Sequence, residues 1–560
     1  MKVPRRVNYA LLAFLAVLNL ALRYPRTPHE TGVDSFFIHT LATQVAVHGY
    51  AEWILNPLSY FGLYPLSYPS ASPFLIAGLT ITSGLPMEAA ILVLSPLLGL
   101  IGMLSAYLMG REMNDDDRFS FAVAFLYSLA PRFLTFTVWT ASSRNLFMAL
   151  APIFVWAILR TYHRKDSKHA ALLVLFLAML MATHRLTILL AVAIVAFLVS
   201  YAVLILVRLL KLRFPRLFLA PSVRARLPYV TLAAFAGIAA FMLLGTNVLD
   251  EYAQGELTAG DDYPSKLVNL GASVSRSVGL AFPLALAGVV VVARERGKAS
   301  VRTFLLLALL LLIPTLFLRT YAGFYILPFL ALAGGFGLLG IVRLGRRRPR
   351  ITRALTALLF AAVLLGTVAV EGYEAARTTY PDSATYDLAL YLQTHGRGTI
   401  VSNDGLLGIR MAAYSSLPYL PVGGAGTNFQ SPELLAFGFY SREEVESQIS
   451  RISLLDLTIE SDSPFVAGGI QAELDWVHIL QTPAGDLSEG LLQRYHPAYF
   501  LENEAYPNAF TAYGNTYCSD FAFSVREGSY RVYDGGVYSV WYVYPPGAEV
   551  ASGPSGRKCP

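Results

Sequence analysis

The first two carboxylates of the chain, Glu30 and Asp34, stand in a polar, aromatic stretch just beyond its first apolar run. Asp34 follows Gly32 and precedes Ser35-Phe36-Phe37. A carboxylate at such an apolar boundary is partly desolvated and suited to act as a general base. The same aspartate could instead cap a helix over Ser35–Val47, a common use of Asp, and both readings stand. Glu30 and Glu52 read as solvated acids, with Glu30 the secondary catalytic candidate. The stretch Ile38–Val47 looks amphipathic enough to lie along a membrane surface. His39, Tyr64 and Tyr68 are candidate substrate contacts, because aromatic rings with a polar end can stack on sugar faces. The aromatic run from Asn56 to Ser70 also fits an interfacial belt.

A second set of candidates is cationic. Arg144, the pair His184-Arg185, Arg276 and Arg319, with Tyr321 beside it, fall at the outward ends of apolar spans, and Arg132 falls inside one behind Pro131. Charge inside a span is costly and therefore points to function. Guanidinium groups grip a phosphate or diphosphate bidentately, whereas any one of them alone could simply snorkel to lipid headgroups. Asp261-Asp262 could hold a divalent metal such as Mg or Mn through carboxylate oxygens, or form part of a solvated loop. Whether a metal takes part is left open.

These residues are carried by a membrane scaffold. Of 560 residues, 55% are hydrophobic and 14% charged, and the mean hydropathy is +0.51; a soluble domain carries about 25% charged residues. Runs of about 20 apolar residues suit a bilayer, and eleven spans are expected at 7–23, 87–109, 119–138, 145–160, 169–184, 186–207, 228–248, 273–293, 303–318, 321–342 and 353–371. The first run lacks a small-residue cleavage site and reads as an anchor rather than a signal peptide. With the N-terminus in the cytoplasm, the inward segments carry 25 Lys and Arg and the outward ones 6, a strong positive-inside bias. The first outer loop, 24–86, and the C-terminal segment are then both outside the cytoplasm. The expected fold is an α-helical polytopic membrane domain, 1–371, followed by an extracytoplasmic mixed α/β soluble domain, 372–560.

Charge divides the same way. Residues 1–371 carry 33 basic and 16 acidic groups, and 372–560 carry 10 and 21. The cations are thus anchors of helices on the inner side, and no nucleic-acid partner is expected. In the tail, helical patterns over Ala384–Thr394 and Leu406–Ser415 alternate with strand-like Thr399–Ser402 and Leu417–Val422. Asp534-Gly535-Gly536, between Tyr530–Tyr533 and Val537–Val543, signals a hairpin. Cys518 and Cys559 are a disulfide candidate in an oxidising compartment, although spacing does not establish geometry.

One apolar span, a long outer loop with an early acid, further spans and a terminal soluble domain together resemble the C-type glycosyltransferase superfamily. Gly32-Val33-Asp34-Ser35-Phe36-Phe37-Ile38-His39 is similar to the stretch after the first span in oligosaccharyltransferases and protein mannosyltransferases. The stretch from Thr31 to Ser72 also looks like that of archaeal members. The resemblance implies that Asp34 is catalytic base or metal ligand. Arg319-Thr320-Tyr321, ahead of a helix containing Pro328, resembles the outer-end arginine that contacts carrier phosphate, and His184-Arg185 is similar but less specific. The tail signature Trp-Trp-Asp-Tyr-Gly is absent, Glu473-Leu474-Asp475-Trp476 being the nearest string, and Trp139–Asn145 has no carboxylate. The first departure argues against transfer of a whole glycan to asparagine, and the second removes the paired acidic motif that binds metal in those enzymes. A monosaccharide transferase using a lipid-phosphate sugar is the better match.

The implied protein is a plasma-membrane enzyme. It would take a sugar from a polyprenyl- or dolichyl-phosphate carrier and give it to an acceptor glycan, lipid or protein on the outer face. A transporter or flippase of lipid-linked sugars is the first rival, but deep acids and an internal repeat are not apparent. A membrane-anchored binding or assembly protein is the second, for which eleven spans are more than anchoring requires.

Overall fold

The computed structural model describes residues 4–51, 54–55, 63–64, 69–164, 166–184, 187, 190, 192–213, 221–245, 263–279, 281–294, 299–313, 322–344, 349–377, 380–417, 420, 476, 479–480, 490, 497–506, 509–512, 515–518 and 529–543. In chain order the helices are α1 (Arg5–Leu22), α2 (Val33–His48), α3 (Ala71–Ser83), α4 (Met87–Met113), α5 (Asp117–Ser128), α6 (Pro131–Thr135), α7 (Ser143–Arg164), α8 (Ser167–Thr183) and α9 (Val192–Arg213). There follow α10 (Pro221–Gly245), α11 (Tyr263–Val278), α12 (Ala281–Arg294), α13 (Ala299–Leu311), α14 (Ala322–Leu344), α15 (Pro349–Arg377), α16 (Ser383–His395) and α17 (Gly405–Ser415). The strands are β1 (Ile54–Leu55), β2 (Leu63–Tyr64), β3 (Thr399–Ser402), β4 (Pro497–Asn503), β5 (Ala509–Ala512), β6 (Asn515–Cys518), β7 (Ser529–Asp534) and β8 (Tyr538–Val543).

Two compact units divide the chain. One comprises Met1–Arg26, Leu92–Trp139 and Ser143–Thr378; the other comprises Thr27–Ile91, Thr140–Ser142 and Thr379–Pro560. A cut near residue 371 would leave the first loop with the spans. The contacts instead group that loop with the C-terminal segment.

Among the described residues, five helices are long and apolar enough to cross a membrane: Met87–Met113, Ser143–Arg164, Val192–Arg213, Tyr325–Arg343 and Arg350–Ala376. Six shorter apolar helices accompany them, and the chain is a multi-pass membrane protein. The expected span 119–138 is not one helix. It breaks after α5 at Leu129 and Ala130, and Pro131 opens the short α6. Proline suits a helix start and pushes the residue before it out of the helical region; Ala130 has ψ 130°. The expected span 273–293 also divides, at Gly279 with φ 63°.

The membrane unit packs around aromatic and small side chains. Phe119 and Phe336 lie with ring centroids 4.6 Å apart. The glycines of the 321–342 span have a packing role. A Cβ on Gly337 would fall 2.2 Å from the Leu284 carbonyl oxygen, and one on Gly288 1.7 Å from that of Ala333. Helices α12 and α14 therefore touch backbone to backbone, the way membrane helices associate when small residues face each other.

In the other unit, β3-β4-β8-β7 form one sheet, with β3 parallel to β4 and the remaining pairs antiparallel. The expected hairpin at Asp534-Gly535-Gly536 is β7–β8, with Gly536 at φ 76°. Asp534 Oδ1 accepts the Gly536 N–H at 3.0 Å; that bond, then Arg531, lowers the Asp534 carboxyl below its usual range. Helices α16 and α17 match the expected patterns, and each is capped by an aspartate: Asp382 accepts from Thr385 N, and Asp404 from Leu406 N. Such caps contribute about 1 kcal/mol each. The expected strand 417–422 falls largely outside the described residues.

Candidate active site

Helix α2 carries the acid. Its N-cap is Gly32, at φ 87°, a left-handed conformation that favours glycine. Asp34 is therefore in the first turn and does not cap the helix. It is exposed, while Ser35 through Val45 are buried without interruption. An amphipathic surface helix would bury a single stripe; α2 is enclosed on all sides, which corrects the membrane-surface expectation for 38–47.

Glu30 is not solvated. It is fully buried, at 0% exposure. Ser35 Oγ donates to Glu30 Oε2 at 2.7 Å, and His39 Nδ1 pairs with Glu30 Oε1. Ser35 Oγ in turn accepts the Ala141 N–H at 2.7 Å. His39, expected to touch substrate, is 3% exposed and directed at this carboxylate. A buried carboxylate is costly unless ion-paired or hydrogen-bonded, and here both oxygens are engaged.

A second carboxylate holds the backbone of the same turn. Glu88 Oε1 accepts from Glu30 N at 3.1 Å and from Tyr414 Oη at 3.2 Å, and lies 3.1 Å from His29 Nδ1. Burial, with Glu30 and Glu88 nearby, pushes the Tyr414 phenol well above its usual range, so it stays a donor. His29 stacks on Tyr386 at 4.3 Å. Arg410, 7% exposed, lies 5.5 Å from the centroid of the Phe36 ring, and burial pulls its guanidinium below the usual range. Among the described residues Arg410 Nε and Nη2 have no hydrogen-bond acceptor. Sequence reasoning missed Ser35, Glu88, Tyr414 and Arg410. Only Glu88, the acid at the start of an apolar helix, carried a local signal.

In the membrane unit, Arg132 and Arg144 share one ring: their guanidinium carbons lie 5.7 and 5.4 Å from the Phe136 centroid. His184 follows the last residue of α8, its ring 5.9 Å from Phe147. Arg276 is exposed and pairs with Glu374, Nη2 to Oε1, at 2.5 Å. Arg23, the last residue of the expected span 7–23, is 1% exposed. It donates to Thr137 Oγ1, Asn19 Oδ1 and the Ser128 carbonyl at 2.8, 2.7 and 3.0 Å. Gly99 makes the room, since a Cβ there would fall 2.1 Å from Arg23 Nε.

Arg319, Tyr321, Arg185, Tyr68, Asp261-Asp262 and Cys559 lie outside the described residues, as do the side chains of Tyr64 and Cys518. No group of three or more His, Cys, Asp or Glu placed to hold a metal occurs among the described residues. Glu30 and Glu88 are already engaged, so the described residues alone do not make a metal site, and no step below is routed through one.

This architecture, a multi-span helical unit with an acid-bearing loop after the first helix and a terminal mixed unit, is a fold shared with solved archaeal oligosaccharyltransferases. The chain is similar to the crystal structure of the apo oligosaccharyltransferase of Archaeoglobus fulgidus, at TM-score 0.57 and 12% identity, over 92% of this chain and 74% of that one. It is also similar to the AglB oligosaccharyltransferase of the same organism in complex with an inhibitory peptide and a dolichol-phosphate, at TM-score 0.56 and 13% identity, over 89% and 69%. ArnT from Cupriavidus metallidurans, bound to undecaprenyl phosphate, aligns at TM-score 0.47 and 13% identity, over 96% and 97%. No family model matches the sequence, and no curated protein is similar to it in sequence.

Proposed function

We propose that this chain is a membrane glycosyltransferase that moves a sugar from a polyprenyl-phosphate carrier to an acceptor on the outer face of the plasma membrane. The observation that carries this reading is the setting of Asp34: an exposed carboxylate on the first turn of a helix whose next eleven residues are buried. A group held on so rigid an element can meet an acceptor hydroxyl repeatedly in one geometry. The shared fold supports the donor class, since one oligosaccharyltransferase with that fold was solved with a dolichol-phosphate.

Asp34 takes the proton of the acceptor hydroxyl as its oxygen attacks the anomeric carbon. The bond from that carbon to the carrier phosphate oxygen breaks, and the phosphate leaves with the electron pair, so the anomeric configuration inverts. Stabilising the departing phosphate falls to cations of the membrane unit. Arg132 and Arg144, which share the Phe136 ring, are the described candidates, together with His184; Arg319, Tyr321 and Arg185 are assigned the same role on sequence grounds. The missing Trp-Trp-Asp-Tyr-Gly string supports a single sugar as the transferred group.

The test is transfer of labelled sugar by the full-length chain in lipid nanodiscs, with dolichyl-phosphate mannose and dolichyl-phosphate glucose as donors and a mixed glycan, lipid and peptide acceptor pool. Asp34→Asn should lower turnover by about a thousandfold without changing expression or insertion. Near-normal turnover by Asp34→Asn would remove the assigned base. Movement of the donor across sealed vesicles without any transfer would instead favour the transporter reading.

A further inference from the structure

Among the described residues of the first loop Glu30 is the one fully buried acid, and the proton transfer assigned to Asp34 does not use it. It cannot meet a substrate: its exposure is 0% and both carboxylate oxygens are occupied, one by Ser35 Oγ at 2.7 Å and one by His39 Nδ1. Those two partners sit on the first two turns of α2, immediately after Asp34. Ser35 is also tied to the Ala141 N–H at 2.7 Å, and the Glu30 N–H is tied to Glu88 at 3.1 Å. The turn is therefore gripped from its buried side by one carboxylate, which is itself fixed by another. No side chain caps α2 at Gly32, so this grip replaces the usual means of defining a helix start.

We infer that Glu30 is a positioning residue: its buried carboxylate, through Ser35 and His39, sets the first turn of α2 and with it the direction of the Asp34 carboxylate. This inference rests on the reading of Asp34 as the base. Its chemistry differs from that of a base, because what Glu30 supplies is two acceptor sites rather than a proton vacancy. A glutamine can supply the same contacts, its amide oxygen accepting from Ser35 and its NH2 donating to neutral His39 Nδ1. A leucine of similar size supplies neither.

The experiment compares Glu30→Gln, Glu30→Leu and Asp34→Asn in the full-length chain, with two readouts. Amide hydrogen exchange over residues 31–41 needs no substrate. It should rise about tenfold in Glu30→Leu and stay within about threefold of wild type in Glu30→Gln. Sugar transfer should show kcat lowered about a hundredfold in Glu30→Leu, the cost of a base misplaced by about 1 Å, with acceptor KM unchanged. Glu30→Gln should keep kcat within about fivefold.

Loss of transfer in Glu30→Gln as complete as in Asp34→Asn would overturn the inference and make Glu30 the proton acceptor. Unchanged exchange in Glu30→Leu would also overturn it, as would raised exchange with unchanged kcat. Should Glu30→Leu not fold, Ser35→Ala removes the same link with a smaller change, and the same exchange and kcat criteria apply to it. If Asp34→Asn stays active, the base assignment fails by itself, while the exchange readout still decides whether Glu30 sets the turn.

Discussion

Two buried charges, one in each unit, are handled in opposite ways. Arg23 in the membrane unit is surrounded by neutral acceptors from its own helix, from the end of α5 and from Thr137, just beyond α6, with a glycine hollowed out to receive it. Glu30 in the other unit is held by a hydroxyl and an imidazole beside an exposed acid. The guanidinium links elements that are already closely packed, so its work is to hold a helix crossing together. The carboxylate fixes a single turn, so its work is to hold one side chain in place. A buried charge therefore reveals its role less by how deep it lies than by what its partners carry next to them.

That contrast can be broken in several ways. The largest expected effect is on Arg23. Arg23→Met leaves Thr137, Asn19 and Ser128 without their buried donor and should cost about 3 kcal/mol of stability, read as a lower thermal aggregation midpoint in detergent. If the midpoint holds, the Arg23 network is dispensable and the comparison collapses. Gly337→Val tests the neighbouring packing without touching charge. It forces α12 and α14 apart and should cost about 2 kcal/mol, by the same measurement.

Next come the cations on Phe136. Arg144→Ala should raise the donor KM about tenfold with little loss of stability, checked in the transfer assay; a purely structural arginine would show the reverse. The smallest effect belongs to Tyr414. Tyr414→Phe removes its bond to Glu88 and should cost about 1 kcal/mol. Because the folded-state phenol is raised above its unfolded value, its contribution is fully present below about pH 10 and is lost as pH rises further. A pH titration of stability should therefore bend downward above about pH 10 in wild type and less so in Tyr414→Phe.

Local chemistry made much of the fold legible. The helical pattern over Leu406–Ser415 marked α17, and Asp534-Gly535-Gly536 marked the β7–β8 turn. The break at Pro131 was written in the sequence too, but the largely apolar content of 119–138 concealed it, since apolar content does not report backbone direction. For the candidate site, the stretch Gly32–His39 singled out Asp34. The same residues misplaced Glu30 in solvent and His39 at the substrate, because each was judged by type and not by partner.

The sequence by itself determined the membrane character of the chain, its charge asymmetry, the helices and hairpin of the C-terminal segment, and the acid after the first span, because each depends on residues close together along the chain. Only the tertiary structure decided which polar groups are buried and whom they serve. Ser35 meets Ala141 across 106 residues, and Glu88 meets Tyr414 across 326. Whether a carboxylate is solvated or locked depends on whether such distant donors arrive to satisfy it, and no local pattern records their arrival.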